Sequence, residues 1–389
     1  MLILDLYSEN EPQWQRTRGY AGRPWIWCQL HDFGGNMNLF GQITNITIDP
    51  VKALNQSSSL VGYGLTPEGY EGNEVVYDLL LDQAWSQTAI DTKVYFEEWA
   101  ALRYGGSDST PQPLRTAWEV MRRTVYDNRD PRVPCAGVGV YQLAPRLSGM
   151  VNRTGHSPAP TALHYDPKRL IQALGLMLQA AAQETGLWDV PAFQLDLVDV
   201  TRQVMSNAFI GVYQDLVEAF DEAMEEFPKR ERTRLAGSSP LVVTRGQRLL
   251  DFLDALDQVL STNRHFTWSN WLQGARHWAQ VTREDGLFSF NARSQITVWN
   301  WESSSLNDYA ARAWSGLIKQ YYRKRWSIFI DGLTNATMTG LFDEDDLSRK
   351  IRAFERAWQY GGFPPVELEA SLQATIEEIQ GQWPDIFKY

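Results

Sequence analysis

The chain has 389 residues with a formal net charge of −11, and 43% of its residues are hydrophobic while 21% are charged. This composition is typical of a globular protein with two or three domains and excludes wholesale disorder. The acidic balance argues against non-specific binding of nucleic acid or anionic membranes, and no apolar run is long enough for a transmembrane helix. The 16 tryptophans are typical of a large aromatic core or of stacking platforms for flat ligands.

The first 90 residues alternate short apolar runs with polar loops. The runs Leu2–Leu6, Trp25–Leu30 and Leu60–Leu65 predict strands, and their nearly continuous apolar character is typical of a parallel sheet buried on both faces. Helices are predicted over Leu39–Ile46 and Glu74–Trp85. This order predicts an α/β barrel or a doubly wound sheet, of which only about three strand–loop–helix units are present.

The chain opens directly in the first predicted strand, and Met1–Tyr7 has neither the basic region nor the cleavage site of a signal peptide. A domain rarely begins in this way. We therefore expect the chain to be the C-terminal portion of a longer protein.

From about residue 90 onward the strand signals nearly vanish, and a large helical domain is predicted. One helix shows the pattern well: Asp166 can accept from free backbone N–H groups, Pro167 takes the first helical position and Gly186 follows the end. The predicted helices are Val94–Arg103, Leu114–Tyr126, Pro167–Thr185, Ala192–Glu226, Leu241–Leu260, Trp268–Ala279, Asn307–Trp326, Leu347–Tyr360 and Val366–Gln380.

The two cysteines, Cys28 and Cys135, are too few for a disulfide framework or a zinc site, and Cys28 is predicted to be a buried thiol. No spacing of histidines and carboxylates predicts a metal site, and neither a phosphate-binding loop nor a nucleophile elbow is present. Four Asn-x-Ser/Thr sequons suit a secreted or lysosomal glycoprotein but also arise often by chance. They begin at Asn45, Asn55, Asn152 and Asn335.

Polar and aromatic side chains follow each predicted strand, which is where an α/β barrel carries its chemistry. Carboxylates close to aromatic side chains suit glycoside hydrolysis, because two acid groups act on the glycosidic bond while aromatic faces stack on sugars. The alternative for Glu68 is a simple turn residue between Pro67 and Gly69, and His31 could equally be a hydrogen-bonded structural residue. The three clusters are Tyr7, Glu9 and Trp14; Trp25, Trp27, His31, Asp32 and Asn36; and Tyr63, Glu68, Glu71 and Glu74.

Several motifs resemble one known family. They include Pro-Trp-Ile-Trp-Cys-Gln-Leu-His-Asp-Phe-Gly-Gly-Asn (Pro24–Asn36) and Gly-Leu-Thr-Pro-Glu-Gly-Tyr-Glu-Gly-Asn-Glu-Val-Val-Tyr (Gly64–Tyr77). The similarity continues through Phe193–Gln203, Asn291–Trp299 and Asn307–Trp326. By these motifs the chain resembles the alpha-N-acetylglucosaminidases of glycoside hydrolase family 89 over nearly its whole length.

The resemblance implies an exo-acting, retaining glycosidase that removes terminal alpha-linked N-acetylglucosamine and needs no cofactor. It implies the C-terminal part of a (β/α)8 barrel over residues 1–90 and an all-α C-terminal domain over residues 91–389. The full-length parent would be secreted, lysosomal or vacuolar. Glu68 matches the family's nucleophile, and the residues that match positions around the sugar are Trp27, Leu30, His31, Trp299 and Tyr309.

The family's general acid/base lies in an Asn-Glu motif on an earlier barrel strand, which this sequence does not include. Glu9 is the least unsuitable substitute, because Glu71 and Glu74 follow Glu68 in the same loop and helix. We therefore hypothesise that the chain alone is inactive. The alternatives are a non-catalytic carbohydrate-binding or scaffold protein, and one half of a split enzyme completed by the N-terminal half of the barrel.

Overall fold

The structure is a computed structural model that describes residues 1–106, 110–232, 237–282, 284–299, 306–361, 366, 368 and 371–388. This part of the chain is mostly helical and carries one small parallel sheet. Among its helices, none combines the length and the apolar content needed to cross a membrane.

The sheet pairs three parallel strands in the order β1 (Ile3–Asp5), β2 (Trp25–Gln29) and β3 (Leu60–Leu65). The three predicted strands and their parallel pairing are thereby confirmed. The predicted burial on both faces is wrong, since Leu4 in β1 and Val61 in β3 are 48% and 61% exposed. Trp27 in the central strand aligns with β1 at Asp5 and with β3 at Tyr63. Since the strands are parallel, the loops that follow them leave from the same edge of the sheet.

Helix α2 spans Ile43–Gln56, so the helix predicted over Leu39–Ile46 is wrong in position. The segment before α2 packs tightly instead: a Cβ atom at Gly41 would lie 2.8 Å from the carbonyl oxygen of Tyr126. Only a residue without a side chain fits that approach. Helix α3 (Glu74–Gln83) confirms the helix predicted after β3.

The other helices follow in chain order. Those that were predicted are confirmed, apart from one treated below, with ends that differ by up to six residues. Helix α10 and the short α1 were not predicted, and part of the predicted start of the last helix, at residues 367, 369 and 370, lies outside the described residues. The elements are α1 (Arg18–Ala21), α4 (Thr92–Arg103), α5 (Gln112–Arg122), α6 (Pro167–Gln183), α7 (Pro191–Arg232), α8 (Pro240–Ser261), α9 (Trp268–Thr282), α10 (Asp285–Gln295), α11 (Arg323–Thr339), α12 (Glu344–Tyr360) and α13 (Leu372–Gln382).

The helix predicted over Asn307–Trp326 is wrong in its first half. Asp308 and Gly316 have φ angles of 60° and 81°, and such left-handed residues interrupt a right-handed helix. A π-helical turn at Ile318–Tyr322 then leads directly into α11.

The chain divides into two compact units. Unit 1 comprises Met1–Val138, Asn152–Val200 and Phe387–Tyr389, and unit 2 comprises Gly139–Val151 and Thr201–Ile386. The sheet belongs to unit 1. The domain boundary predicted at residue 90 stays a prediction.

Tryptophans contribute to the cores of both units. In unit 1, the rings of Trp14 and Trp25 stack 5.8 Å apart. In unit 2, the buried Trp326 donates from Nε1 to the carbonyl oxygen of Tyr141 at 2.9 Å and meets the ring of Phe209 edge-on at 5.1 Å. These contacts bury a large aromatic surface, which is the first of the two uses that the tryptophan content predicted.

Candidate active site

The loops that follow the three strands of unit 1 are joined by hydrogen bonds. Glu9, after β1, accepts through Oε1 from the backbone N–H groups of Leu30 and His31, after β2, at 2.9 and 2.8 Å. Glu68, after β3, accepts through Oε2 from the backbone N–H of Gly34, also after β2, at 2.7 Å. The loops that follow the three strands therefore lie close together in unit 1.

Glu68 is an exposed carboxylate whose direction is set by the loop opposite it. Gly34 and Gly35 have φ angles of 69° and 75°, which glycine adopts at little cost. Asp32 stabilises this turn by accepting from the N–H of Gly35 at 2.8 Å and from the hydroxyl of Tyr77 at 3.1 Å. The loop thus presents a fixed donor to Glu68, and the carboxylate stays accessible to a ligand.

Glu9 is only 3% exposed. Burial raises the pKa of its carboxyl group to about 8, although the two N–H donors of Leu30 and His31 act in the opposite direction. Its other oxygen, Oε2, has no hydrogen-bond partner among the described residues. Glu9 therefore holds the peptide between Leu30 and His31 rather than pointing into solvent.

His31 is fully enclosed and adopts a left-handed backbone with φ of 68°. Its ring lies edge-on to the rings of Phe40 and Tyr77, at centroid distances of 5.5 and 5.0 Å. Burial lowers the pKa of the imidazole to about 3, so the ring is neutral at physiological pH. The Nδ1 atom lies 3.4 Å from Nε2 of Gln29, while Nε2 has no partner within the described part of the chain.

Other buried polar atoms near these strand ends also lack partners among the described residues. They belong to Trp27 (Nε1), Gln29 (Oε1), Asn36 (Oδ1 and Nδ2) and Tyr63 (hydroxyl). Trp27 is completely buried, and its ring meets that of Tyr63 edge-on at 6.5 Å. Buried polar groups are nearly always paired, and a set of unpaired ones next to an accessible carboxylate is typical of a site that binds a polar molecule.

Trp299 and Tyr309 belong to unit 2, where the structure brings them together. Their rings meet edge-on at 5.9 Å, and Trp299 is 42% exposed. An exposed tryptophan ring with an aromatic neighbour has the form of a sugar-stacking platform. The prediction that they share a pocket with Glu68 stays a prediction.

Glu74 and Cys28, which the sequence also singled out, lie in environments that differ from those of Glu68 and His31. Glu74 lies near Asp196 and Asp199, and burial together with these carboxylates raises its pKa to about 7. Cys28 is a buried free thiol, as predicted, and burial raises its pKa to about 12. Within the described residues, no group of histidine, cysteine and carboxylate side chains is arranged to hold a metal ion.

Sequence reasoning missed the groups that support these side chains. For the N–H of Gly34, which donates to Glu68, the only signal in the sequence is a pair of glycines. In unit 2, the buried ion pairs of Arg325 with Asp308 and Glu355 were not predicted. One signal was available, since Arg325 and Glu355 both occupy positions with the spacing of an apolar helix face.

Two family models match the chain. The alpha-N-acetylglucosaminidase (NAGLU) tim-barrel domain matches residues 1–87, and the C-terminal domain of the same family matches residues 95–376. The chain belongs to the alpha-N-acetylglucosaminidase family. Its fold is accordingly a barrel portion followed by a large helical domain, as the resemblance implied.

Individual relatives agree with this membership. Human alpha-N-acetylglucosaminidase is 32% identical over 361 residues, which are 92% of this chain and 44% of the human protein. A family 89 glycoside hydrolase from Clostridium perfringens, solved with PUGNAc, is 25% identical and superposes with a TM-score of 0.83. That match covers 100% of this chain and 42% of the bacterial one.

The bacterial enzyme has also been solved with two other ligands. One is 2-acetamido-1,2-dideoxynojirimycin, in a structure with a TM-score of 0.82 to this chain. The other is its substrate GlcNAc-alpha-1,4-galactose, bound to a variant in which two glutamates are replaced by glutamine. The chain spans less than half the length of the relatives it matches.

Proposed function

We propose that the chain carries the nucleophile of a retaining, exo-acting glycosidase that removes terminal alpha-linked N-acetylglucosamine. The placement of Glu68 carries the proposal: it is an accessible carboxylate at a strand end, oriented by the N–H of Gly34 at 2.7 Å. In a retaining reaction this carboxylate attacks the anomeric carbon, forms a glycosyl ester and expels the leaving oxygen, after which water hydrolyses the ester.

Membership of the family supports this choice of substrate and of residue type. The Clostridium perfringens enzyme binds GlcNAc-alpha-1,4-galactose as a variant without two of its glutamates, which agrees with a pair of catalytic carboxyl groups. In this chain, the proposed substrate contacts are Trp27, Leu30, His31, Trp299 and Tyr309. The neutral imidazole of His31 can donate or accept a hydrogen bond toward sugar hydroxyl or acetamide groups.

A retaining glycosidase needs a second carboxyl group about 5–5.5 Å from the nucleophile to protonate the leaving oxygen. Three other carboxyl groups, in or after the strands of unit 1, are held by backbone N–H or hydroxyl donors, and Glu9 is almost completely buried. Glu9 accepts from two backbone N–H groups, and Asp32 accepts from Gly35 and Tyr77. Asp5 accepts from the N–H groups of Gln13 and Trp14. We therefore propose that the proton donor comes from a polypeptide segment outside this sequence, and that the chain alone does not turn over substrate.

The edge of the sheet supports a partner of that kind. Strand β1 pairs on one side with β2, and no described strand pairs with its other side. The side chains of Leu2, Leu4 and Leu6 along this strand are about half exposed. An open, apolar strand edge is prone to pair with another strand. The proposed partner is the remaining part of the family's barrel, on the same or on a separate polypeptide.

A non-catalytic carbohydrate-binding protein is the second candidate. The observation in its favour is the set of unpaired buried polar atoms around Trp27, His31 and Asn36, which can bind a sugar without any proton donor.

The full-length protein is proposed to be secreted or lysosomal, in line with its family. We propose no cofactor for either function.

Hydrolysis of p-nitrophenyl alpha-N-acetylglucosaminide separates these functions. We expect no hydrolysis by the chain alone, and hydrolysis when a polypeptide carrying the rest of the family barrel is added. Glu68→Gln should abolish that activity, while Glu71→Gln in the same loop serves as the matched control and should keep most of it. Activity of the chain alone that Glu68→Gln removes would contradict the proposed inactivity. Sugar binding without hydrolysis in the completed protein would favour the second candidate.

A further inference from the structure

The two aromatic residues of unit 2 are attached to unusual backbone. Trp299 has a φ angle of 52°, and Asp308, which precedes Tyr309, has a φ angle of 60°. Left-handed backbone is unfavourable for residues with a Cβ atom and persists where the surroundings enforce it. The contacts that enforce it therefore decide where the two rings lie.

One set of contacts holds Trp299. Its N–H donates to the carbonyl oxygen of Ser294 at 2.6 Å, and the hydroxyl of Ser294 donates to the carbonyl oxygen of Trp299 at 3.4 Å. Gln359 on α12 donates from Nε2 to the same hydroxyl at 3.1 Å. The backbone of Trp299 is thus linked through one serine to a glutamine side chain that is only 1% exposed.

A second set of contacts holds Asp308. Its two carboxylate oxygens accept from Nη1 of Arg325 at 2.8 and 2.9 Å, and one of them also accepts from the N–H of Ala144 at 3.0 Å. The same Nη1 atom donates to Oε1 of Glu355 on α12 at 2.9 Å. Arg325 is completely buried, so these ion pairs are not weakened by water.

Both sets of contacts end on one face of one helix. Glu355 and Gln359 are four residues apart on α12 and therefore lie one helical turn from each other on the same side. Neither side chain is a good choice for stability alone. Oε1 of Gln359 has no hydrogen-bond partner among the described residues, and burial raises the pKa of Glu355 despite its contact with Arg325. Apolar side chains would fill such positions at a lower cost.

We propose that Glu355 and Gln359 are positioning residues that fix the spacing and direction of the Trp299–Tyr309 ring pair. Gln359 acts through Ser294 on Trp299, and Glu355 acts through Arg325 on Asp308 and so on Tyr309. The role of the pair as a sugar contact rests on the proposed function. The fixed geometry of the two rings does not depend on it.

The fluorescence of Trp299 tests the proposal in the full chain. The emission of Trp299 is obtained as the difference between each protein and its counterpart carrying Trp299→Phe. In Gln359→Met, which keeps the length of the side chain and loses its hydrogen bond, we expect a red-shifted difference spectrum and at least a twofold increase in acrylamide quenching. We expect the unfolding temperature to stay equal or to rise. Ser294→Ala removes the hydroxyl group that links Gln359 to the backbone of Trp299. We therefore expect the same changes in the difference spectrum and in quenching as in Gln359→Met.

Glu355→Gln should change the same difference spectrum to a smaller extent, because Arg325 keeps its bonds to Asp308. Arg352→Gln, at an exposed position on α12, is the matched control and should leave the spectrum unchanged. An unchanged Trp299 spectrum in both Gln359→Met and Ser294→Ala would overturn the proposal. So would a spectral change that appears only together with a lowered unfolding temperature in every variant.

Binding of 2-acetamido-1,2-dideoxynojirimycin provides a second arm, measured by calorimetry on the same proteins after addition of the polypeptide that carries the rest of the family barrel. We expect about a tenfold loss of affinity in Gln359→Met, since misplaced rings lose their stacking contact. If no protein binds the compound while the Trp299 spectrum changes as expected, the proposed function fails and the positioning stands. If the compound binds equally to all variants and the spectrum is unchanged, the positioning fails and the sugar site stands.

Discussion

The two units bury ionisable groups beside their candidate functional residues in different ways. In unit 1, Glu9 and His31 are enclosed without an oppositely charged partner among the described residues, and burial shifts both pKa values so that the neutral forms are favoured. In unit 2, Arg325 is enclosed between Asp308 and Glu355 in two ion pairs. The first arrangement leaves polar atoms available to a ligand, and the second uses its charges to hold backbone in place.

This difference predicts how each unit responds to perturbation. A group that is neutral because of burial makes stability depend on pH, whereas a buried ion pair makes stability depend on the presence of both partners. Around His31 and Asn36, several buried polar atoms have no partner among the described residues, and a ligand can satisfy them.

Replacing Arg325, the buried cation between Asp308 and Glu355, should cause the largest loss of unfolding free energy. Arg325→Met leaves Asp308 and Glu355 buried without a counter-charge, so we expect unit 2 to lose about 3–5 kcal/mol of unfolding free energy. Urea unfolding followed by far-UV circular dichroism measures this loss. The matched control is Arg323→Met, two residues earlier, whose partly exposed pair with Asp254 should cost at most about 1 kcal/mol. Equal losses in the two variants would contradict the account of unit 2.

The pH dependence of the stability of unit 1 should be a smaller effect than that of Arg325→Met and a larger one than that of an exposed ion pair. The folded chain holds the proton of Glu9 up to a pKa of about 8, above the ordinary value of 4.5. Between these values the unfolded chain releases the proton first, so the unfolding free energy falls as pH rises, by at most about 1.4 kcal/mol per pH unit. His31 acts in the other direction, because its pKa is lowered from 6.5 to about 3 and stability is lost as pH falls through that range.

Two variants separate these contributions. Glu9→Gln keeps an acceptor for Leu30 and His31 and should remove the loss of stability between about pH 6.5 and 8. His31→Asn suits the left-handed backbone and should remove part of the loss on the acid side. Urea unfolding at several pH values measures both slopes. Slopes that match the parent protein in Glu9→Gln would show that Glu9 does not titrate in this way.

An exposed ion pair should have the smallest effect. Lys52 contacts Asp49 at 2.9 Å within α2, and both side chains are substantially exposed. We expect Lys52→Ala to change the unfolding free energy of the chain by no more than about 0.5 kcal/mol, since solvent screens such pairs. Thermal unfolding in low and high salt checks this value. A loss comparable to that of Arg325→Met would mean that burial is not what separates the strong pairs from the weak ones.

The sequence predicted those parts of the fold that depend on local patterns. Three apolar runs became the three strands, and Asp166 and Pro167 mark the start of α6 as expected. Its end was less accurate, because α6 stops at Gln183 and Gly186 lies in a following 3₁₀ helix. The placement of Glu68 after β3 followed from the same reasoning.

The predictions were wrong where contacts with residues far away in the sequence determine the local structure. The backbone at Asp308 is left-handed because Arg325 holds its side chain, and no local pattern reveals that contact. The segment before α2 is irregular because Gly41 packs against Tyr126, far away in the sequence. The roles of Glu355 and Gln359 depend on the same kind of contact, so sequence periodicity could assign them only to a helix face.

The role of Glu68 as the attacking carboxylate can be measured without any proton donor. A 5-fluoro alpha-N-acetylglucosaminyl fluoride expels fluoride, which needs no general acid, and leaves the sugar as an ester on the nucleophile. After incubation with the chain, we expect peptide mass spectrometry to find the fluorosugar adduct on Glu68 and to find none in Glu68→Gln. An adduct on another carboxylate, or equal labelling of Glu68→Gln, would contradict the account.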